Sequence, residues 1–156
     1  MIKNIHERVL PGAAGPLIDR LTELWPPQWG QLKFDRPFGV GADGGHGPIR
    51  YSCTAFEPGR RVEFTFAPVM GLNGTHTFVA DGNVLRHTLV GTPRLGTRLR
   101  WALVIRWLHD ACLEDLLDNA ERELGREPAR PSRWSPWVRL VRRIVVPKAP
   151  AQQVNG

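Results

Sequence analysis

GTHTFVADGNVLRHTLVG, residues 74–91, sets two runs of alternating apolar and polar residues around Asp81-Gly82, with His76 and His87 at matched distances from the centre. Alternation of period two on both sides of an Asp-Gly pair reads as a β-hairpin. A two-residue type I′ turn on Asp81-Gly82 pairs Ala80 with Asn83 and puts His76 opposite His87, with Phe78 and Leu85 as the next pair on that face. The apolar pair turns this face inward and both histidines with it, leaving Thr77 and Arg86 to solvent.

The hairpin sits in a longer series of strands. Lys3–Leu10, Phe34–Gly41, Pro48–Phe56 and Arg61–Ala67 join Thr75–Ala80 and Asn83–Val90 as six β segments, with Glu57-Pro58-Gly59-Arg60 as a second reversal. Gly15–Leu24 has Leu17, Ile18, Leu21 and Leu24 at helical spacing, and WPPQWG (25–30) breaks that pattern. Thr97–Leu124 contains no Pro or Gly and carries an apolar stripe through Trp101, Ala102, Ile105, Leu108, Cys112, Leu116 and Ala120, with Gly125 as its stop. Strand, short helix, meander, long helix is an α+β order in which a curved antiparallel sheet wraps the helix. Asp110, Glu114, Asp118 and Glu121 recur on the helix as an acidic face, expected to be solvated.

A chain of 156 residues fits one domain, here residues 1–125, followed by a basic extension, 126–156. Residues 1–125 carry 14 Lys/Arg against 14 Asp/Glu, so the whole net charge of +6 lies in the extension. No groove for a phosphate backbone is indicated, and nucleic acid is not an expected partner. MIKNIHERVL has charges where a signal peptide needs an apolar run, so a cytoplasmic location is expected. Cys53 and Cys112 lack any metal-ligand spacing and read as small core residues. GVGADG (39–44) matches the letters of the dinucleotide-binding motif, but Pro48 and a strand follow it instead of a helix N-terminus. A mobile loop is expected there, with His46 in it exposed or, alternatively, in contact with a ligand.

The runs RPFGVGADGGHGPIRY, FEPGRRVEFTF, LRHTL and WLHDACLEDLLD together resemble the SRPBCC superfamily, the Bet v 1-like or START-like helix-grip proteins that include polyketide cyclases. The likeness covers about residues 1–124, although six strands stand where seven are usual and the extension has no counterpart. It implies a helix-grip sheet of six to seven strands and a cavity between sheet and helix. Enzymes, lipid carriers and hormone receptors share that fold, so the likeness bears on fold more than on activity.

Such a cavity is expected to take a hydrophobic small molecule, polyketide-like or aromatic, on a lining of Tyr51, Cys53, Phe64, Phe66, Phe78, Leu85, Trp101, Ile105 and Cys112. His109 falls within the helix stripe, so His76, His87 and His109 face one space, where imidazoles can serve as acid and base for cyclisation or dehydration without a cofactor. If Ile5 and Val9 face inward, Glu7 does too, as a base or an orienting carboxylate. The alternatives are an ordinary hydrogen-bonded histidine pair and a carrier or sensor that uses the histidines to orient cargo. Three histidines match the ligand number of catalytic zinc, but no spacing supports a metal. In the extension, Ser135 caps and Pro136 opens a basic amphipathic helix, SPWVRLVRRIVVP, suited to its own domain, a partner protein or, weakly, an anionic membrane surface. A monomer or a homodimer is expected, and KAPAQQVNG reads as disordered.

Overall fold

Alternating and turn-punctuated segments in residues 1–93 assemble into one antiparallel sheet in the computed structural model, which describes residues 1–145. The strands are β1 (Ile2–Val9), β2 (Lys33–Phe34), β3 (Asp43–His46), β4 (Ile49–Glu57), β5 (Arg61–Phe66), β6 (Leu72–Asp81) and β7 (Val84–Pro93), in the order β1-β7-β6-β5-β4-β3-β2. Helices α1 (Gly15–Asp19) and α2 (Leu21–Leu24) follow β1. After β7, α3 (Leu95–Arg100) passes through a π turn at Trp101–Ile105 into α4 (Arg106–Glu123), and α5 (Pro136–Val145) completes the described chain. The main core lies between the sheet, α1, α2 and α4, with Phe64, Leu85, Leu116 and Leu117 fully buried. The expected KAPAQQVNG segment lies outside the described residues.

The strand expected at Phe34–Gly41 is confined to Lys33–Phe34, because Pro37 and two glycines follow. The glycine run instead builds β3. A side chain on Gly44 would collide with the Lys33 carbonyl and one on Gly45 with the Ile49 carbonyl, so these glycines permit close strand pairing, while residues 39–42 before them form a loop.

The hairpin turn differs by one step from the sequence reading. Asp81 pairs with Val84, leaving Gly82 and Asn83 at the centre. Gly82 has φ of 57° and no non-glycine residue among those described, Asn83 included, has positive φ, which is the glycine-first requirement of a type II′ turn and not the type I′ turn expected. His87 therefore faces Phe78 and His76 faces Leu89, while Leu85 faces Ala80. The partner moves by two residues, so both histidines stay on the inner face.

β1 has the opposite phase from that expected. Ile5 and Val9 are 49% and 57% exposed, and Glu7 points outward, accepting a 2.6 Å hydrogen bond from Arg86 Nε. Asn4, His6 and Arg8 face inward because α4 turns its carboxylates toward this strand. Arg8 Nη1 donates to Asp118 (3.0 Å) and Glu121 (2.6 Å), and Nη2 to Glu114 (2.8 Å). Arg126 Nε adds a 2.9 Å bond to Glu121. The expected solvated face is thus partly interior, with Asp118 and Glu121 buried.

The extension folds back on the domain. Ser135 Oγ accepts from the Val138 N–H at 3.2 Å as the helix cap, and Val138 and Val141 face inward. Asp115 Oδ2 accepts hydrogen bonds from the indoles of Trp29 (2.8 Å) and Trp134 (2.9 Å), and Arg142 lies over both rings.

Removing Arg8 leaves Asp118 and Glu121 buried and short of a cation. An Arg8→Met variant is expected to lose about 3 kcal/mol of unfolding free energy at neutral pH, read by urea titration. Burial raises the Glu121 carboxyl, but bonds from Arg8 and Arg126 more than reverse this and hold it below the usual carboxylate range. Stability from a lowered carboxyl is present above its unfolded value and disappears as pH falls through the folded one, so the gap between the two proteins should narrow as pH falls below the ordinary carboxylate range.

Candidate functional site

A cavity of about 160 Å³ opens between the inner face of the sheet and the α3–α4 helix. Its wall is mostly aromatic and aliphatic, including Trp25, Trp29, Tyr51, Phe66, Phe78, Trp101, Ile105 and Leu108. Four histidines share this wall: His46 from β3, His76 from β6, His87 from β7 and His109 from α4.

His76 and His87 form the innermost pair. His76 Nδ1 and His87 Nε2 are 3.4 Å apart, a long hydrogen bond in which either ring can be the donor. Phe64 and Phe66 stack on His76 at ring separations of 5.0 Å, and Tyr51 meets its edge at 4.6 Å. The other nitrogens, His76 Nε2 and His87 Nδ1, are buried without a partner among the described residues, as is the Trp25 indole nitrogen. His109 follows at 5.1 Å from the His87 ring, and His6 at 5.8 Å from His109.

His6 leaves the dry zone for the carboxylates of α4. Its Nδ1 is 2.8 Å from Glu114 and its Nε2 is 3.1 Å from Asp110, which also accepts a 2.9 Å bond from Asn4 Nδ2. Burial disfavours the charged ring, but the bonds and charges of Asp110 and Glu114 overcome it and hold His6 up at about 9. His76 and His87 have no such anion, and burial drives both well below the ordinary histidine value. Burial also lowers His109, whose Nδ1 is 3.8 Å from Asp110, too far for a hydrogen bond, and pushes His46 down to about 3. The row at neutral pH is one imidazolium, His6, followed by neutral rings. Tyr51 is kept a phenol, raised well above its ordinary value by burial.

Donor atoms of His6, His109 and Asp110 fall within 4.8 Å of one another, whereas His76, His87 and His109 make no such group among the described residues. In the structure the two ring nitrogens of His6 are taken up by Asp110 and Glu114, an ion-pair arrangement.

No model of a known protein family matches the chain, and no curated protein sequence matches it. Solved structures do. Norcoclaurine synthase from Thalictrum flavum, in complex with dopamine and hydroxybenzaldehyde, matches with a TM-score of 0.57 at 12% identity, covering 83% of this chain and 90% of that one. CalU16 from Micromonospora echinospora matches with a TM-score of 0.52 at 12% identity over 90% of each chain. A Thermobifida fusca protein matches with a TM-score of 0.53 at 16% identity, over 83% of this chain and 97% of its own. These likenesses show the fold, a curved antiparallel sheet gripping a long C-terminal helix. The seventh strand that this fold usually has is β3, hidden in the sequence by its glycines.

Within the helix-grip frame, His76, His87, His109, Tyr51, Phe66, Phe78, Trp101, Ile105 and Cys112 all line the cavity. Cys53, Phe64 and Leu85, expected on the same lining, are buried in packed core behind it. Glu7, expected inside, is outside, and its neighbour His6, which the sequence reading did not single out, faces inward on β1. The signal for His6 was available: Asn4, His6 and Arg8 alternate opposite an acidic helix face that needs cations. His46, expected exposed, packs at 4.4 Å against Trp25.

Two opposite pH dependences follow. A raised histidine gives stability that is complete below its unfolded value of about 6.5 and is lost as pH rises through its folded value, here about 9 for His6. The neutral buried histidines act the other way, since their unfolded forms take up protons as pH falls below about 6.5. Thermal melting across pH should therefore peak a little above pH 6.5, falling on the acid side as the buried histidines' unfolded forms protonate and on the alkaline side toward about pH 9. His6→Gln is expected to flatten the alkaline limb and leave the acid limb in place.

Proposed function

We propose that the protein binds a hydrophobic small molecule through a single-ring portion seated in the cavity, and that the His76–His87 pair moves protons on it in a cofactor-free cyclisation or dehydration. The observation that carries this reading is the unpartnered nitrogen at each outer end of a buried histidine pair on the wall of an apolar cavity. Neutral imidazole has one N–H and one lone pair. Whichever ring donates the shared hydrogen bond, one outer nitrogen is then a donor and the other an acceptor. The pair is therefore an acid and a base held together, in a dry site where neither is charged at rest.

In an aldol-type closure the acceptor nitrogen takes a proton from the carbon next to a carbonyl. That carbon forms the new bond to a second carbonyl carbon, whose oxygen receives a proton from the donor nitrogen. Dehydration removes a further proton from carbon and expels the hydroxyl as water. Tyr51 O–H and the Trp25 N–H are suited to hydrogen-bond carbonyl oxygens, and His109 passes the field of the acidic cluster toward the pair. Around 160 Å³ matches the space that holds a benzene-sized group in an apolar interior. A synthase of the same fold, solved with two single-ring aromatic molecules, is in keeping with that size.

The second reading is a carrier or sensor, favoured by the absence of any resting charge on His46, His76, His87 and His109 around an apolar cargo. Acetophenone, with one ring and one carbonyl, separates the two. Binding is followed by quenching of tryptophan fluorescence, and proton transfer by deuterium exchange at its methyl group in heavy water. Exchange is expected to accelerate with the protein, and His87→Ala to slow it by about a hundredfold or more while affinity moves less than about threefold. Binding without accelerated exchange would assign the cavity to carriage. Val104→Trp, which puts a larger ring on the cavity wall, should weaken binding at least about tenfold.

A further inference from the structure

The part of the cavity wall formed by Met70, Thr97, Val104 and Val145 is framed by unusually exposed apolar residues. Val69, Leu95 and Ile144 are 81%, 86% and 77% exposed, and Leu99 and Leu103 also face water. Each lies within two residues of a cavity-lining neighbour, namely Met70, Thr97, Trp101, Val104 or Val145. The segments that carry them are neighbours in space, since Trp137 Nε1 on α5 donates to the Leu103 carbonyl at 3.0 Å and Val145 shares the cavity wall with Thr97.

Charge on these segments has one sign. Residues 94–109 hold four arginines and residues 133–145 hold four more, with no Asp or Glu in either stretch. Arg98, Arg100, Arg139 and Arg143 have no ion pair among the described residues. The acids that follow on α4, Asp110, Glu114, Asp118 and Glu121, turn to the cations of β1 and to Arg106 and Arg126.

We propose that this rim docks on an anionic lipid bilayer, with the cavity opening onto the membrane. Apolar side chains protruding from helices and a turn, interleaved with arginines, suit the boundary where acyl chains meet headgroups: leucine and isoleucine enter the apolar layer while long arginine stems reach phosphates. Trp107 and Trp137, both half exposed, are of the residue type that settles at that boundary. A second copy of the chain is a poorer occupant, because a two-fold contact would oppose Arg98, Arg100, Arg139 and Arg143 to arginines of the same face. An apolar ligand would pass between bilayer and cavity without crossing water. No helix among the described residues is long and apolar enough to cross a membrane, so the contact is superficial. The inference uses the position of the cavity mouth and is independent of proton transfer inside it.

Co-sedimentation of the full chain with vesicles tests this, using phosphatidylcholine alone and an equimolar mixture with phosphatidylglycerol. Binding is expected to the mixed vesicles, weakening with salt, and little to phosphatidylcholine alone. The double variants L95S/I144S and R98E/R143E change exposed side chains and should melt like the parent, yet each should bind at least about tenfold more weakly. No binding to mixed vesicles would overturn the proposal. So would unchanged binding of L95S/I144S, which would mean simple adsorption of a basic protein. Self-association of the parent that L95S/I144S abolishes, without vesicle binding, would make a second copy the occupant instead.

Discussion

Carboxylates on one face of α4 cannot be buried against a sheet unless cations come with them, and the arrangement of this molecule follows from how that demand is met. β1 supplies His6 and Arg8 from alternate positions, Arg106 stands on the helix itself, and Arg126 returns from beyond its end. Four cations thus meet Asp110, Glu114, Asp118 and Glu121. Such a cluster adds little net stability over apolar packing of the same volume, but a slip of the helix by one turn would strand buried charge. Its effect is to set the register of helix on sheet, and the register puts His109 beside His87.

The same interface changes character within a few residues. At one end His6 has carboxylates at 2.8 and 3.1 Å, close enough for hydrogen bonds that outweigh the cost of burying its charge. His109, next in the row, is 3.8 Å from Asp110, and there burial wins. His87 and His76 lie against aromatic rings, each other and His109, and hydrogen-bond no carboxylate among the described residues. Less than 1 Å of separation therefore decides which rings are cations and which can act as neutral donors and acceptors. The dry histidine pair depends on the charged cluster for its position and on distance from it for its protonation state.

These distinctions explain what the sequence disclosed. The hairpin could be read from residues 74–91 because its alternation is strong, and even a wrong turn left His76 and His87 on the inner face, since the error moved the pairing by two residues. β1 had no such protection. Its apolar residues, Ile5 and Val9, suggested one phase, and the charged and polar residues proved to be interior because their partners lay more than a hundred residues away on α4. A pattern local in sequence reports a local fold, whereas a buried ion network is visible only when both halves are read together. β3 was obscured for a different reason: its glycines answer to backbone contact with β2 and β4, which leaves no side-chain periodicity to read.

The cavity makes its own demand on any ligand. Keeping about 160 Å³ of apolar space open forgoes roughly 4 kcal/mol of packing, by the scaling found for core truncations. The aromatic wall does not collapse into it because Trp29 is held by Asp115 and Arg142, and Trp25 by its contact with His46. A group that merely fills the space recovers at most that amount, equivalent to about millimolar affinity. Tighter or selective binding has to come from hydrogen bonds to the unpartnered nitrogens of Trp25, His76 and His87, or from a part of the ligand that extends through the mouth. Both routes favour an amphiphilic molecule, with a compact carbonyl-bearing ring at the histidines and an apolar remainder at the rim, over a wholly apolar one.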